Sequence, residues 1–101
     1  MLCALTVRKL KPGSFDAFRE KFMDEEEPPP GAVRFNMIRN RQDPDEVVCF
    51  GFFDGTEDEM RRAMAESGYD KQYEAQLEAI APFVESVGTD AIFDVVEDET
   101  Y

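Results

Sequence analysis

From Val47 to Phe53 the chain reads VVCFGFF, seven consecutive residues without a polar side chain, and this run restricts the fold more than any other feature of the 101 residues. A strand with one face on a core and the other in water alternates apolar with polar, whereas a continuous run needs cover on both faces. One chain of this length forms one domain, 1–101, and buries only about two thirds of the surface it exposes when unfolded. The remaining cover has to be found outside a single small core.

The neighbouring segments supply the rest of a sheet. In LCALTVRK, residues 2–9, Cys3, Leu5 and Val7 alternate with Leu2, Ala4, Thr6 and Arg8, which predicts a first strand. Pro12 and Gly13 turn the chain, Ser14 is placed to cap a helix, and Phe15, Phe18 and Phe22 give that helix an aromatic stripe. The carboxylates and three prolines of DEEEPPPG, residues 24–31, end it and predict an extended connector. AVRFNMIR alternates Val33, Phe35 and Met37 with Arg34, Asn36 and Ile38, and a polar turn centred on Asp43-Pro44 leads back into the apolar run, so strands two and three read as a hairpin.

Thr56 and Glu59 have the spacing of a reciprocal capping box, with acids in the favourable first turn of a second helix. Met60, Ala63 and Met64 form its apolar side and Gly68 suits its end. A further helix from about Asp70 is predicted to bury Tyr73, Leu77, Ile80 and Val84, to bend at Pro82 and to stop at Gly88. TDAIFDVV, residues 89–96, reads as the last strand.

The order β-α-β-β-α-β is the split βαβ pattern: an α+β, ferredoxin-like antiparallel sheet of order 4-1-3-2 with the helices on one face. Strand three then lies in the middle of the sheet, and its second face is bare in a monomer. Two sheets packed back to back would each cover an apolar patch on the order of several hundred Å2, so the run predicts a homodimer. The same topology offsets Cys3 from Cys49 along neighbouring strands, beyond disulfide reach, and predicts two free thiols.

Charge and composition remove several function classes. A net charge of −12 repels phosphate backbones and anionic lipid, which argues against nucleic-acid and membrane partners. The first ten residues lack the pattern of a signal peptide, and no apolar run approaches the length that spans a bilayer, so a cytoplasmic location is expected. With no His and only two Cys, metal hydrolysis, zinc sites and Ser-His or Cys-His chemistry have no residues to work with; no metal is expected.

The first strand with VRKLKPGSFDAFREKF, the Gly before strand two in PGAVRFNMIRN, the passage DPDEVVCFGFFDGTEDEMRRAM and the closing LEAIAPFV together resemble the dimeric α+β barrel superfamily, and most closely its antibiotic biosynthesis monooxygenase (ABM) group. The resemblance covers nearly the whole chain. It implies a homodimer with a pocket between sheet and helices, a small aromatic or quinone-like substrate, and oxygenation without a bound cofactor. Active members often carry a Trp at the end of strand three and a His in the next helix; here Phe53 and the stretch with Ala63 and Met64 stand there. Haem degradation thereby loses its usual axial ligand.

For oxygenation, Asn36 is the candidate donor to an oxyanion, Arg34 a stabiliser of a phenolate, and Asp94 a base whose pKa burial would raise. Phe18, Phe22, Phe53, Met60, Met64, Tyr69 and Tyr73 are the candidate substrate-binding residues. Each also has an ordinary structural use: the Phe and Met residues as core, Asn36 in a backbone hydrogen bond, Arg34 as an ion-pair partner, and Asp94 on an exposed edge. A non-catalytic binding or sensing dimer, and a dimer whose pocket has filled in, are the competing readings.

Overall fold

A computed structural model describes residues 1–24 and 27–101. The elements run β1 (Leu2–Leu10), α1 (Phe15–Phe22), β2 (Ala32–Arg39), β3 (Glu46–Phe53), α2 (Glu57–Ser67), α3 (Tyr69–Ile80), a 3-10 turn (Ala81–Phe83) and β4 (Val84–Asp94). The four strands form one antiparallel sheet in the order β2-β3-β1-β4, which is the predicted 4-1-3-2 arrangement. Among the described residues no helix is long and apolar enough to cross a membrane.

Strand register decides which side chains meet the helices. On β3, Val47, Cys49 and Phe53 are buried on the helix side, while Val48, Phe50 and Phe52 alternate with them and keep partial exposure. On β1 the helix-side residues are Leu2, Ala4, Thr6, Arg8 and Leu10; Cys3, Leu5 and Val7 share the far face with their partners Phe52, Phe50 and Val48. The two cysteines therefore lie on opposite faces, and both are free. The helix side is packed in two groups, one built on Leu10, Phe18, Phe22, Val47, Cys49 and Ile80 and the other on Leu2, Phe53 and Met60.

Local chemistry explains the element ends, with some differences from the sequence expectations. The capping box is formed: Glu59 N–H donates to Thr56 Oγ1 at 3.2 Å and Thr56 N–H to Glu59 Oε1 at 3.4 Å. Ser14 occupies the position before α1 but makes no side-chain cap bond. Gly68 adopts the left-handed conformation, φ 78°, that lets α2 end and α3 begin at one residue. Residues 25 and 26 of the acidic and proline-rich connector fall outside the described residues.

The C-terminal third departs most from expectation. Helix α3 does not reach Gly88; Pro82 lacks the N–H that would continue it, the chain tightens into a 3-10 turn, and β4 starts at Val84 opposite Leu10. Gly88 lies inside the strand, where a Cβ would stand 3.7 Å from that of Val7, next to a register shift. The buried residues of α3 are Tyr69, Gln76 and Ile80; Ile80 is buried as expected and Tyr73 is half-buried, but Gln76 takes the inward place expected for Leu77, which is exposed. Gln76 is drawn inward because its amide N–H donates to the Phe22 carbonyl at the end of α1.

Thr56→Ala removes the cap oxygen without touching the core and should lower unfolding stability by about 1 kcal/mol in urea titration. An unchanged midpoint would show that α2 is held by packing alone.

Candidate functional site

The two packed groups do not meet in the middle of the sheet, and the gap between them is a cleft of about 810 Å3 between the helix face of the sheet and the helices. Its depth comes from the smallest side chains of the two central strands. Ala4 and Gly51 are direct partners in the β1–β3 ladder and both line the cleft. A Cβ on Gly51 would meet the Phe53 ring at 3.4 Å and the Arg34 carbonyl oxygen at 3.6 Å, so any larger residue there would fill the floor. The walls are mostly apolar: Phe22, Phe35 and Phe53 from one side, Met60, Met64, Tyr69 and Tyr73 from α2 and α3. The Phe22 and Phe35 rings stack at 5.8 Å, and those of Tyr69 and Tyr73 at 6.5 Å.

Three polar side chains of the floor deviate from this apolar lining. Arg8 is only 3% exposed although it faces the cleft. Its guanidinium carbon lies over the Phe22 and Phe18 rings, 5.4 and 5.9 Å from their centroids, within cation–π range. Its Nη1 is buried and has no hydrogen-bond partner, and among the described residues no carboxylate forms an ion pair with it. Two residues along the same face, Thr6 Oγ1 donates to Asp90 Oδ1 at 3.0 Å across the β1–β4 ladder, and both residues line the cleft. The strand rise puts this pair about 7 Å from the Arg8 position along β1.

Cys49 completes the floor. Burial pushes its thiol up to about 11, against the opposing pull of the adjacent Arg8 cation, so at neutral pH it is a protonated, inert group. The Cys3 thiol on the far face is also raised by burial. Among the described residues no group of three or more His, Cys, Asp or Glu is arranged to hold a metal ion.

Of the residues singled out in the sequence, the structure gathers Phe22, Phe53, Met60, Met64, Tyr69 and Tyr73 around the cleft. Phe18 is fully buried beneath it, in contact with Arg8, and is core. The polar candidates fare differently. Asn36 pairs with Phe50 and Arg34 with Phe52, so the register turns both toward the sheet face away from the helices; Arg34 reaches the cleft wall through its backbone. Asp94 is exposed at the end of the edge strand β4, opposite Leu2 and outside the cleft, and the burial that would have made it a base is missing. Arg8 and Asp90 were not anticipated. The signal for Arg8 was its parity with Leu2, Ala4 and Leu10, which puts a cation on the helix-facing side of a central strand.

The same arrangement of sheet and helices is present in several solved structures. A protein of Chloroflexus aurantiacus J-10-fl, provisionally named an antibiotic biosynthesis monooxygenase, superposes with a TM-score of 0.74 at 14% identity, over 98% of this chain and 96% of that one. A protein of Nitrosomonas europaea with the same provisional name gives 0.72 at 17% identity, over 96% and 100%. An uncharacterized NIPSNAP domain protein of Burkholderia xenovorans gives 0.67 at 20% identity, over 95% of each chain. No protein-family model and no curated protein matches the chain. The chain thus has the ferredoxin-like α+β fold of ABM-like proteins, and at these identities it is the fold that is shared.

Because the Cys49 thiol ionises near its ordinary 9.0 when unfolded and near 11 when folded, deprotonation favours the unfolded chain. This contribution is constant below pH about 9 and weakens stability as pH rises toward about 11. Comparing urea unfolding of the wild type and Cys49→Ala across that range isolates it: the wild type should lose more stability than the variant. Parallel losses would show that Cys49 is not held protonated by burial.

Proposed function

We propose that the chain binds a flat aromatic or quinone-like molecule in the cleft and oxygenates it without a bound cofactor. The observation that carries this reading is the cleft itself: about 810 Å3, walled by aromatic and Met side chains with few polar groups on its floor. Sites of roughly 300–1,000 Å3 with that lining take drug-sized molecules. An ionised phenol is electron-rich enough to pass an electron to dioxygen itself, so the protein has to supply a water-poor space, a proton acceptor and a group that stabilises charge. Asp90 is exposed on the edge strand as Asp94 is, but it lines the cleft and accepts a hydrogen bond from Thr6 there, and it is the proton acceptor in this scheme. The provisional names of two proteins of the same fold support the reaction class.

A second reading is a protein that binds or senses such a molecule without turnover. It is favoured by the state of Cys49, which burial keeps protonated and so removes as a nucleophile. In both readings a second copy of the chain covers the far face of the sheet. Supporting this are the partly exposed Leu5, Val7, Val48, Phe50 and Phe52, the more exposed Ile38 and Phe93 beside them, and the Asn36 Oδ1, which is buried there without a hydrogen-bond partner.

Oxygen uptake with a panel of hydroquinones and anthrone-like compounds tests the chemistry. Uptake should disappear in Gly51→Val, which fills the floor, and fall on the order of a hundredfold or more in Asp90→Asn. No uptake with any compound, together with saturable binding, would replace the first reading by the second. The self-association is tested by the thermal midpoint, which should rise with protein concentration as mass action requires; a midpoint independent of concentration contradicts it.

A further inference from the structure

The oxygenase reading leaves Arg8 without an assigned partner. A guanidinium 97% removed from water is ordinarily matched by a carboxylate or by a full set of acceptors, because an uncompensated buried charge is strongly destabilising. Here the guanidinium carbon lies near the Phe18 and Phe22 rings, the Cys49 sulfur is its one side-chain hydrogen-bond partner among the described residues, and Nη1 is left with no acceptor among them. Lys9 and Arg61, by contrast, are paired with Asp43 and Glu57 at the surface. A chain with 23 acidic residues does not lack carboxylates to offer. Arg8, without a carboxylate partner among the described residues, is one of the residues that line the floor of the cleft.

We infer that Arg8 is the anchor for an anionic group on the ligand, so that the cleft selects a planar aromatic molecule bearing a carboxylate. The assignment rests on the cleft being a binding site for aromatic molecules and narrows the class it takes. A guanidinium offers two parallel N–H donors to the two carboxylate oxygens, and a small shift of the Arg8 side chain would open the buried Nη1 to the ligand. The apolar walls cover the ring system and exclude water from the ion pair, which strengthens it. With the charged group on Arg8, a reacting hydroxyl at the far side of the ring system would lie toward the Thr6–Asp90 pair, two residues along the same face of β1. The chain's net charge of −12 repels anions at long range, so the selection depends on this local contact.

The test is a calorimetric comparison of 2-naphthoate with 2-naphthamide, a neutral molecule of nearly the same shape, on the full-length chain. The wild type should bind the naphthoate at least about tenfold more tightly, a gap in the range of one charge-assisted contact. Arg8→Gln should bring the two affinities together, chiefly by weakening the naphthoate, and Arg8→Lys should restore part of the gap. Arg8→Met should melt close to the wild type, because it replaces a buried charge that has no carboxylate partner among the described residues by an apolar side chain of similar length. Equal affinities in the wild type would overturn the anchor while leaving an aromatic-binding cleft, and so would a preference that survives Arg8→Gln. Binding of neither compound would overturn both the anchor and the cleft's aromatic specificity. Because the experiment reads binding alone, a protein that consumes no oxygen can still satisfy it, and the two failures are separable. Should the variants not fold, the wild-type comparison decides by itself.

Discussion

The structure is organised around the position of β3 in the sheet. A strand with no polar side chain from Val47 to Phe53 cannot serve as an edge, where one rim and one face meet water, and the order β2-β3-β1-β4 places it between two hydrogen-bonded neighbours. Burial of Val47, Cys49 and Phe53 under the helices then follows from parity, and parity also commits Val48, Phe50 and Phe52 to the opposite face. The proposed second copy addresses that other half of the same constraint. A domain of 101 residues has little core to spare, so an apolar face left in water would be a liability for solubility.

The cleft arises from how the helix side is filled. Large side chains gather near each end of the sheet, Leu10, Phe18, Phe22 and Ile80 at one and Leu2, Phe53 and Met60 at the other, and the centre is left to Ala4 and Gly51. A chain under selection for stability alone would close such a gap with a larger residue, since unfilled space forfeits dispersion contacts. Leaving Arg8 buried there without a carboxylate partner among the described residues compounds the loss of stability. Two departures from good packing at one spot are what a binding site looks like, because local rules are broken where a ligand will later satisfy them.

Much of the fold was legible in the sequence because the relevant signals are local: the capping box of Thr56 and Glu59, the Gly68 break and the turn at Asp43-Pro44 each depend on a few neighbouring residues. The aromatic and Met lining of the cleft followed from helical spacing. The polar part of the site did not, because β1 and β2 each carry apolar residues on both sides, so the pattern alone does not say which side meets the helices. Cys3, Leu5 and Val7 look like a core stripe, yet they face away from the helices, while the side bearing Thr6 and Arg8 faces them. On β2 the expectation settled on Asn36 and Arg34 because they are polar residues in an apolar strand, but register pairs them with Phe50 and Phe52 on the far face. Asp90 was read as part of the last strand without a role, since its proximity to Thr6 spans 84 positions of chain.

On this account, one sheet serves two purposes: its helix face frames a cleft with a buried cation, and its far face is proposed to join a twin. Both depend on the two-sided apolar strand, and the proposed twin would make that strand compatible with a small acidic protein in water. Sedimentation equilibrium of the unmodified chain at several micromolar concentrations tests this most directly. The account predicts a particle of about twice 11.6 kDa; a single species of 11.6 kDa at every concentration would contradict it.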